Sequence, residues 1–291
     1  MDDLLLRGLF PEHEVRFSLV QAPGLCSEAM GIHGSDAVSG WLLSEALVSA
    51  ALLSTSVKDD EKLTLRWMYP GPVGTILADL NERGEVRGYT QRVTLLPEVD
   101  TLAEALGGDG RLSVVQHTAG RVIRTGITQA FFRDLPRDLS YFLSMSHQIE
   151  TALTVGLILP LALPLQARSA LGLMIQPLPG ASLEVFDQAR NRVEGPAFRA
   201  WLEDAPRDPL EVLERVELGR AEVLGQGVPA YGCGCSREKI HGLLTSLPPG
   251  ELGDMVRRGE DTTITCHFCG RRYNLPPGEI QQLLDQMEKG P

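Results

Sequence analysis

Apolar residues recur at helical spacing between positions 37 and 57, through Trp41, Leu42, Ala46, Leu47, Ala50, Leu53 and Val57. Ser35-Asp36 stand before them as a cap, so the spacing predicts a helix over 37–57. The pattern then becomes strand-like at 63–67, 73–77, 86–93, 112–116 and 122–128. Gly71-Pro72, Asn81, Gly84 and the glycines at 107–110 mark turns between these runs. A further helix is expected over 135–153 and a strand over 171–176, ending at Pro177-Leu178-Pro179-Gly180. Strands in runs with few crossover helices predict an α+β fold rather than a doubly wound parallel sheet.

Beyond Gly180 charges thicken, from Arg199 through Glu203, Asp204, Arg207 and Asp208 to Glu217, while Leu210, Val212, Leu213, Val216 and Leu218 persist among them. A charged, weakly apolar stretch of this kind folds marginally, as helices leaning on a neighbour; a solvated connecting helix is the plainer alternative. From Ser236 onward the pattern tightens again. Ile240, Leu243, Leu244 and Leu247 share a helical face, a second helix covers 251–258, and strands at 262–265 and 272–275 precede a final helix with Ile280, Leu283, Leu284 and Met287. The expected division is an N-terminal α+β body at 1–180, a conditionally ordered linker at 181–230 and a small C-terminal zinc-binding domain at 231–291.

Composition narrows the function. Hydrophobic residues make up 43% and charged residues 22% of the 291, enough for a sizeable core without help from metal. The net charge of -11 repels phosphate backbones and anionic lipid, which argues against nucleic acid and membrane as partners. Asp2 and Asp3 occupy the place where an export signal carries positive charge, and the apolar run 155–165 is interrupted by Pro160 and Pro164. The sequence predicts a soluble, cytoplasmic protein.

Four of the five cysteines lie at 233 or beyond, as Cys233-x-Cys235 and Cys266-x-x-Cys269. Two such pairs supply four sulfurs for one tetrahedral zinc, with Zn–S near ~2.3 Å. Gly232 and Gly234 offer the tight first pair backbone freedom, and Gly270 follows the second. His241 and His267 are close enough in sequence to replace a sulfur, and Cys26 reads as an inert core residue. From Tyr231 to Pro291 there are seven Lys or Arg and eight Asp or Glu, so no basic footprint for nucleic acid accompanies the site. Thiolates held together are nucleophiles towards peroxide or hypochlorous acid, and oxidised sulfur binds zinc poorly. Structural zinc contributes about 10–16 kcal/mol to a small domain, so oxidation is expected to unfold it. The constellation predicts a redox switch.

These residues are also familiar. Tyr231-Gly-Cys233-Gly-Cys235-Ser236-Arg237-Glu238 and Cys266-His-Phe268-Cys269-Gly270 with Tyr273 resemble the two zinc pairs of the redox-regulated chaperones of the heat-shock protein thirty-three family. The likeness runs through the body, in Ala51-Leu52-Leu53-Ser54, Gly71-Pro72-Val73-Gly74, Val86-Arg87-Gly88-Tyr89, Gly172-Leu173 and Gln176-Pro177-Leu178-Pro179-Gly180. Ser146-His147-Gln148 and Lys239 depart from the family pattern, and the expectation is that they alter surface details alone. The resemblance implies an ATP-independent holdase, inactive when reduced and zinc-loaded. Oxidation would form Cys233–Cys235 and Cys266–Cys269 disulfides, release zinc and expose apolar surface for unfolding or oxidatively damaged clients. Homodimerisation when oxidised is a further implication. The client surface is expected on the body and on Leu210, Leu213 and Val216.

No phosphate loop, nucleophile elbow or hydrolytic constellation is present, so the chain reads as a non-enzyme. Two rival readings remain at this point. One is a thiol–disulfide oxidoreductase using Cys266-x-x-Cys269, which lacks the expected strand-to-helix context. The other is a zinc-ribbon binding module with a constitutive metal.

Overall fold

The chain opens with an antiparallel hairpin of β1 (Leu4–Phe10) and β2 (Val15–Gln21). In the computed structural model, which describes residues 2–58, 60–118, 120–160, 162 and 164–289, two helices follow, α1 (Pro23–His33) and α2 (Ala37–Ser54). Next come β3 (Glu61–Met68), β4 (Thr75–Asn81), β5 (Glu85–Thr90), a short α3 (Leu102–Leu106), β6 (Gly110–Thr118) and β7 (Arg121–Ala130). α4 (Leu135–His147), β8 (Ala152–Ile158) and β9 (Ser169–Pro177) precede three helices, α5 (Leu183–Val193), α6 (Pro196–Asp204) and α7 (Pro209–Glu214). β10 (Glu222–Gly227) and β11 (Ala230–Tyr231) come next. The remainder holds α8 (Arg237–Leu244), α9 (Pro249–Arg258), β12 (Thr262–Thr265), β13 (Arg272–Leu275) and α10 (Pro277–Lys289).

Two compact units meet in sequence at Gly232 and Cys233. The first contains a five-stranded sheet of order β10-β1-β2-β9-β8 and a six-stranded sheet of order β11-β5-β4-β3-β6-β7. Neighbouring strands are antiparallel apart from the short β11 on β5. This is the α+β fold expected from the runs of strands. α2 touches strands of both sheets, which is why it is apolar around its whole circumference. It is long and apolar enough to cross a membrane, but the protein itself buries it.

Two helix ends differ from expectation. α2 stops at Ser54 rather than 57, because the hydroxyls of Ser54 and Thr55 donate to Ala51 O and Leu52 O and take over last-turn carbonyls. α4 ends at His147, not 153. Gln148 adopts a left-handed backbone (φ 55) and its N–H caps Leu143 O. The apolar run that follows then forms β8, buried at six of its seven positions.

The stretch 181–230 lies within the first unit. In this structure α5–α7 form a layer on the five-stranded sheet, where Phe186, Val193, Phe198, Leu202, Val212 and Leu213 pack with Phe10, Phe17, Leu173 and Ile175. Helical periodicity inside a charged segment hides these anchors from a reading of composition alone. Of the three apolar residues expected at a client surface, Leu210 is 58% exposed, while Leu213 and Val216 are buried.

The second unit has its own core of Ile240, Leu244, Leu252, Tyr273, Leu275, Ile280 and Leu283. That is small, and a core of this size alone supplies little net stability.

Candidate metal centre

Two local structures carry the cysteines. Cys233 and Cys235 lie in the extended entry to α8, whose N-cap Ser236 accepts from Lys239 N at 3.3 Å. Lys239 Nζ also donates to Gly234 O, between the two cysteines. The departure at Lys239 thus lies on the surface, where its exposed side chain reaches the backbone between the first two cysteines. Cys266 and Cys269 sit in the connection of the β12–β13 hairpin. Cys266 N donates to Arg271 O at 2.9 Å, and Gly270 N donates to Cys266 O at 2.9 Å. Gly270 has φ 67, so the knuckle needs a residue without Cβ there. Gly232 and Gly234, expected to supply such freedom to the first pair, do not have positive φ.

The fold brings all four sulfurs within 4.8 Å of one another. Cys233 Sγ is 3.6 Å from Cys266 Sγ, and Cys235 Sγ is 3.4 Å from Cys269 Sγ. Sulfurs held ~2.3 Å from one tetrahedral centre would lie ~3.8 Å apart, so the spacing fits a single four-coordinate metal. Electrostatics agree. Burial disfavours the Cys235 thiolate, yet hydrogen bonds from Tyr273 and the neighbouring thiols outweigh it and bring it down to about 7. Cys269 is pushed up to about 12 by burial and by its contacts with the other three sulfurs, and Cys233 moves up through burial and its side-chain contacts with Cys235 and Cys266. A divalent cation at the centre of the four sulfurs would favour the thiolate form of each.

Histidine is not part of this cluster. His241 Nε2 instead meets Glu279 Oε1 at 2.5 Å. Arg237, two residues past Cys235, donates to Glu279 Oε1 at 2.7 Å and to Asn274 O at 2.8 Å, tying α8 to β13 and α10. These ties hold Glu279 well below the usual carboxylate range, at about 2, chiefly through the Arg237 hydrogen bond. Sequence reasoning also assigned no role to the Tyr273 hydroxyl, which donates to Cys235 Sγ at 3.1 Å. Spacing could not reveal it, because the tyrosine on β13 reaches a sulfur 38 residues away, at the entry to α8.

Outside the cluster, Cys26 is fully buried and its thiol is pushed up to about 12 by burial, as an inert core cysteine should be. His147, the second departure, packs edge-on to Phe142 with ring centroids 5.4 Å apart.

The model of the Hsp33 protein family matches residues 3–276. The 33 kDa chaperonin of Geobacillus sp. (strain WCH70) is 29% identical over 289 residues, spanning 97% of each chain. That of Lactiplantibacillus plantarum is 30% identical over 293 residues and that of Bacillus subtilis 27% over 289, each spanning at least 98% of both chains. The crystal structure of the 33 kDa chaperonin from Thermotoga maritima superposes with a TM-score of 0.81 at 25% identity, covering 98% of both chains. The match of both sequence and architecture extends over nearly the full length, cysteine unit included, and this chain belongs to the Hsp33 family.

Proposed function

We propose that this protein is an ATP-independent chaperone, a holdase whose capture of unfolding clients is switched on by oxidation of Cys233, Cys235, Cys266 and Cys269. The observation that carries the reading is the convergence of four thiols, at the spacing one tetrahedral metal requires, in a separate unit with a seven-residue core. Family membership supplies the chaperone role, since the full-length relatives are chaperonins by name. Zinc bound by the four thiolates would keep them deprotonated and supply most of the unit's folding free energy.

The chemistry then belongs to the sulfurs. A peroxide oxidises one thiolate to a sulfenic acid, releasing hydroxide. A neighbouring thiol attacks that sulfur and expels water, leaving a disulfide. The proposed pairs are Cys233–Cys235 and Cys266–Cys269. A disulfide sulfur is a poor ligand, so the ligand set is lost and the unit loosens. Apolar surface elsewhere in the chain then becomes available to clients.

The test is zinc release into a colorimetric chelator, before and after peroxide under mild unfolding, together with light scattering of a heat-denatured client. Release accompanied by newly suppressed aggregation is the expected result. Retention of zinc, or release without gain of holdase activity, would replace this reading with that of a constitutive structural zinc module.

A further inference from the structure

β10 is the edge strand of the five-stranded sheet and its least anchored member. It includes Gly225 and Gly227, none of its side chains is buried, and Val223 and Leu224 are 46% and 67% exposed. Main-chain pairing to β1 holds it, from Leu5↔Gly227 to Leu9↔Glu222, with an irregularity at Arg7/Gly8. Glycines and absent side-chain packing weaken a strand. β1 is the opposite case. Leu6 and Phe10 are buried, and β2 pairs with its other edge from end to end. Location adds to the contrast, for β10 follows the α5–α7 layer and ends six residues before Cys233. Between β10 and Cys233 the chain is held by the two-residue β11 on β5, a short pairing that must also open for loosening of the cysteine unit to free β10.

We propose that β10 is a placeholder, and that its departure opens the β1 edge to an extended segment of an unfolding client, which adds as an antiparallel strand. This rests on the holdase reading and names its client surface and binding mode. A chaperone for unfolding chains must recognise what all of them share, and the exposed peptide groups of a sheet edge bind that common feature. In the structure that seat is already occupied by six extended residues that bury no side chain. Leu5 and Leu9, half-buried beside the edge, add apolar contact on alternate positions. A Cβ at Gly8 would lie 2.1 Å from Glu222 O, so the glycine leaves room for the visiting backbone. β7, the edge of the other sheet, carries exposed Val122, Ile123 and Ile127, but it is open already and offers nothing to switch.

The experiment is amide hydrogen exchange on the full chain, reduced and peroxide-oxidised, with and without a reduced and carboxymethylated polypeptide that cannot refold. Polypeptide binding is read in parallel by fluorescence anisotropy. The amides of residues 5–9 that face β10 should lose protection on oxidation and regain it with polypeptide, exchanging at least about tenfold more slowly. Val223→Pro removes a main-chain donor from β10, and the reduced variant should bind the polypeptide at least about fivefold more tightly than the reduced parent. Binding without renewed protection of β1, or with protection on β7 instead, overturns the strand-addition inference and leaves the holdase reading standing. Renewed protection that depends on protein concentration and not on polypeptide overturns it in favour of strand exchange between copies. Absence of any binding by the oxidised chain fails both readings together.

Discussion

Arg199 on α6 reaches the carboxylate of Glu45, which is 2% exposed on the central helix α2. The same guanidinium meets Asp134, the N-cap of α4, at 2.5 Å and Glu203 at 2.9 Å. One side chain from the 181–230 segment thus ties its helix layer to two helices of the body. Removing one partner of a buried pair leaves the other charge uncompensated, which costs about 3–5 kcal/mol. Arg199→Leu should lose that much in urea unfolding of the first unit, and amides in α5–α7 should exchange faster. Glu45→Gln in the same chain should restore part of the loss. If Arg199→Leu changes stability by less than about 1 kcal/mol, the contact is no latch.

A pH dependence follows from the same neighbourhood. Burial pushes Glu45 up to about 7 despite Arg199, and pushes Asp138 up to about 6 despite the hydrogen bond it accepts from Tyr69 at 2.5 Å. Their ordinary values are 4.5 and 3.8. The folded state therefore binds protons more tightly than the unfolded one. The stability these groups contribute is complete below their ordinary values and is lost as pH rises through 6 and 7. The denaturation midpoint of the first unit should fall between pH 5 and pH 8, about the range these two titrations span. Asp138→Asn combined with Glu45→Gln should flatten that slope.

Tyr273→Phe keeps the buried ring and deletes the hydroxyl, which donates to Cys235 Sγ and also meets the Arg271 side chain. Groups that orient a metal's ligands are worth about 10–100-fold in affinity, and a single donor to sulfur belongs at the lower end. Competition with a chelator should show zinc bound about tenfold more weakly, with the fold of the zinc-loaded unit unchanged. An unaltered affinity would mean that the hydroxyl merely fills space.

Cys269→Ser, or a strong chelator at neutral pH, should abolish the cooperative folding of residues 233–289. The seven-residue core there cannot replace the roughly 10–16 kcal/mol that four-thiolate zinc sites supply. Circular dichroism should lose the helical signal of α8–α10, while the first unit, with its separate and larger core, stays folded. Persistence of the full helical signal after removal of metal would show that zinc is not what folds the unit.

Gly172 on β9 belongs to the body motif, and the structure gives it a packing role. A Cβ there would lie 2.5 Å from Val48 Cγ1 and 3.0 Å from Leu52 Cδ1 on α2. Forcing a methyl into a filled core costs about 1–3 kcal/mol. Gly172→Ala should lower the first unit's unfolding free energy by that amount, and a neutral result would mean that α2 can shift off the sheet.

Short-range signals were legible from the residues alone. Ser236 and Asp36 stand at helix starts because a side-chain oxygen there meets amides three residues on. The strands at 262–265 and 272–275, the helices around them and the two cysteine pairs follow from spacings of two to four residues. What escaped were effects of distant neighbours. The helix from Leu135 stops at His147 because the next apolar run is drawn into the sheet beside β9. The charged stretch after Gly180 hides Phe186, Phe198 and Leu202, whose burial depends on a sheet face formed by residues at both ends of the body.

By itself the sequence determined the chemistry available: four soft ligands in two pairs, a charged segment after Gly180 and enough apolar residues for a sizeable core. Tertiary structure decided who meets whom. Arg199 and Glu45 are 154 residues apart in the chain, Tyr273 and Cys235 are 38 apart, and the sulfurs meet across gaps of 33 and 34. Local propensities act over one turn or one strand pair, whereas these contacts depend on which faces the sheets and helices bury, a choice made by removing apolar surface from water across the whole chain.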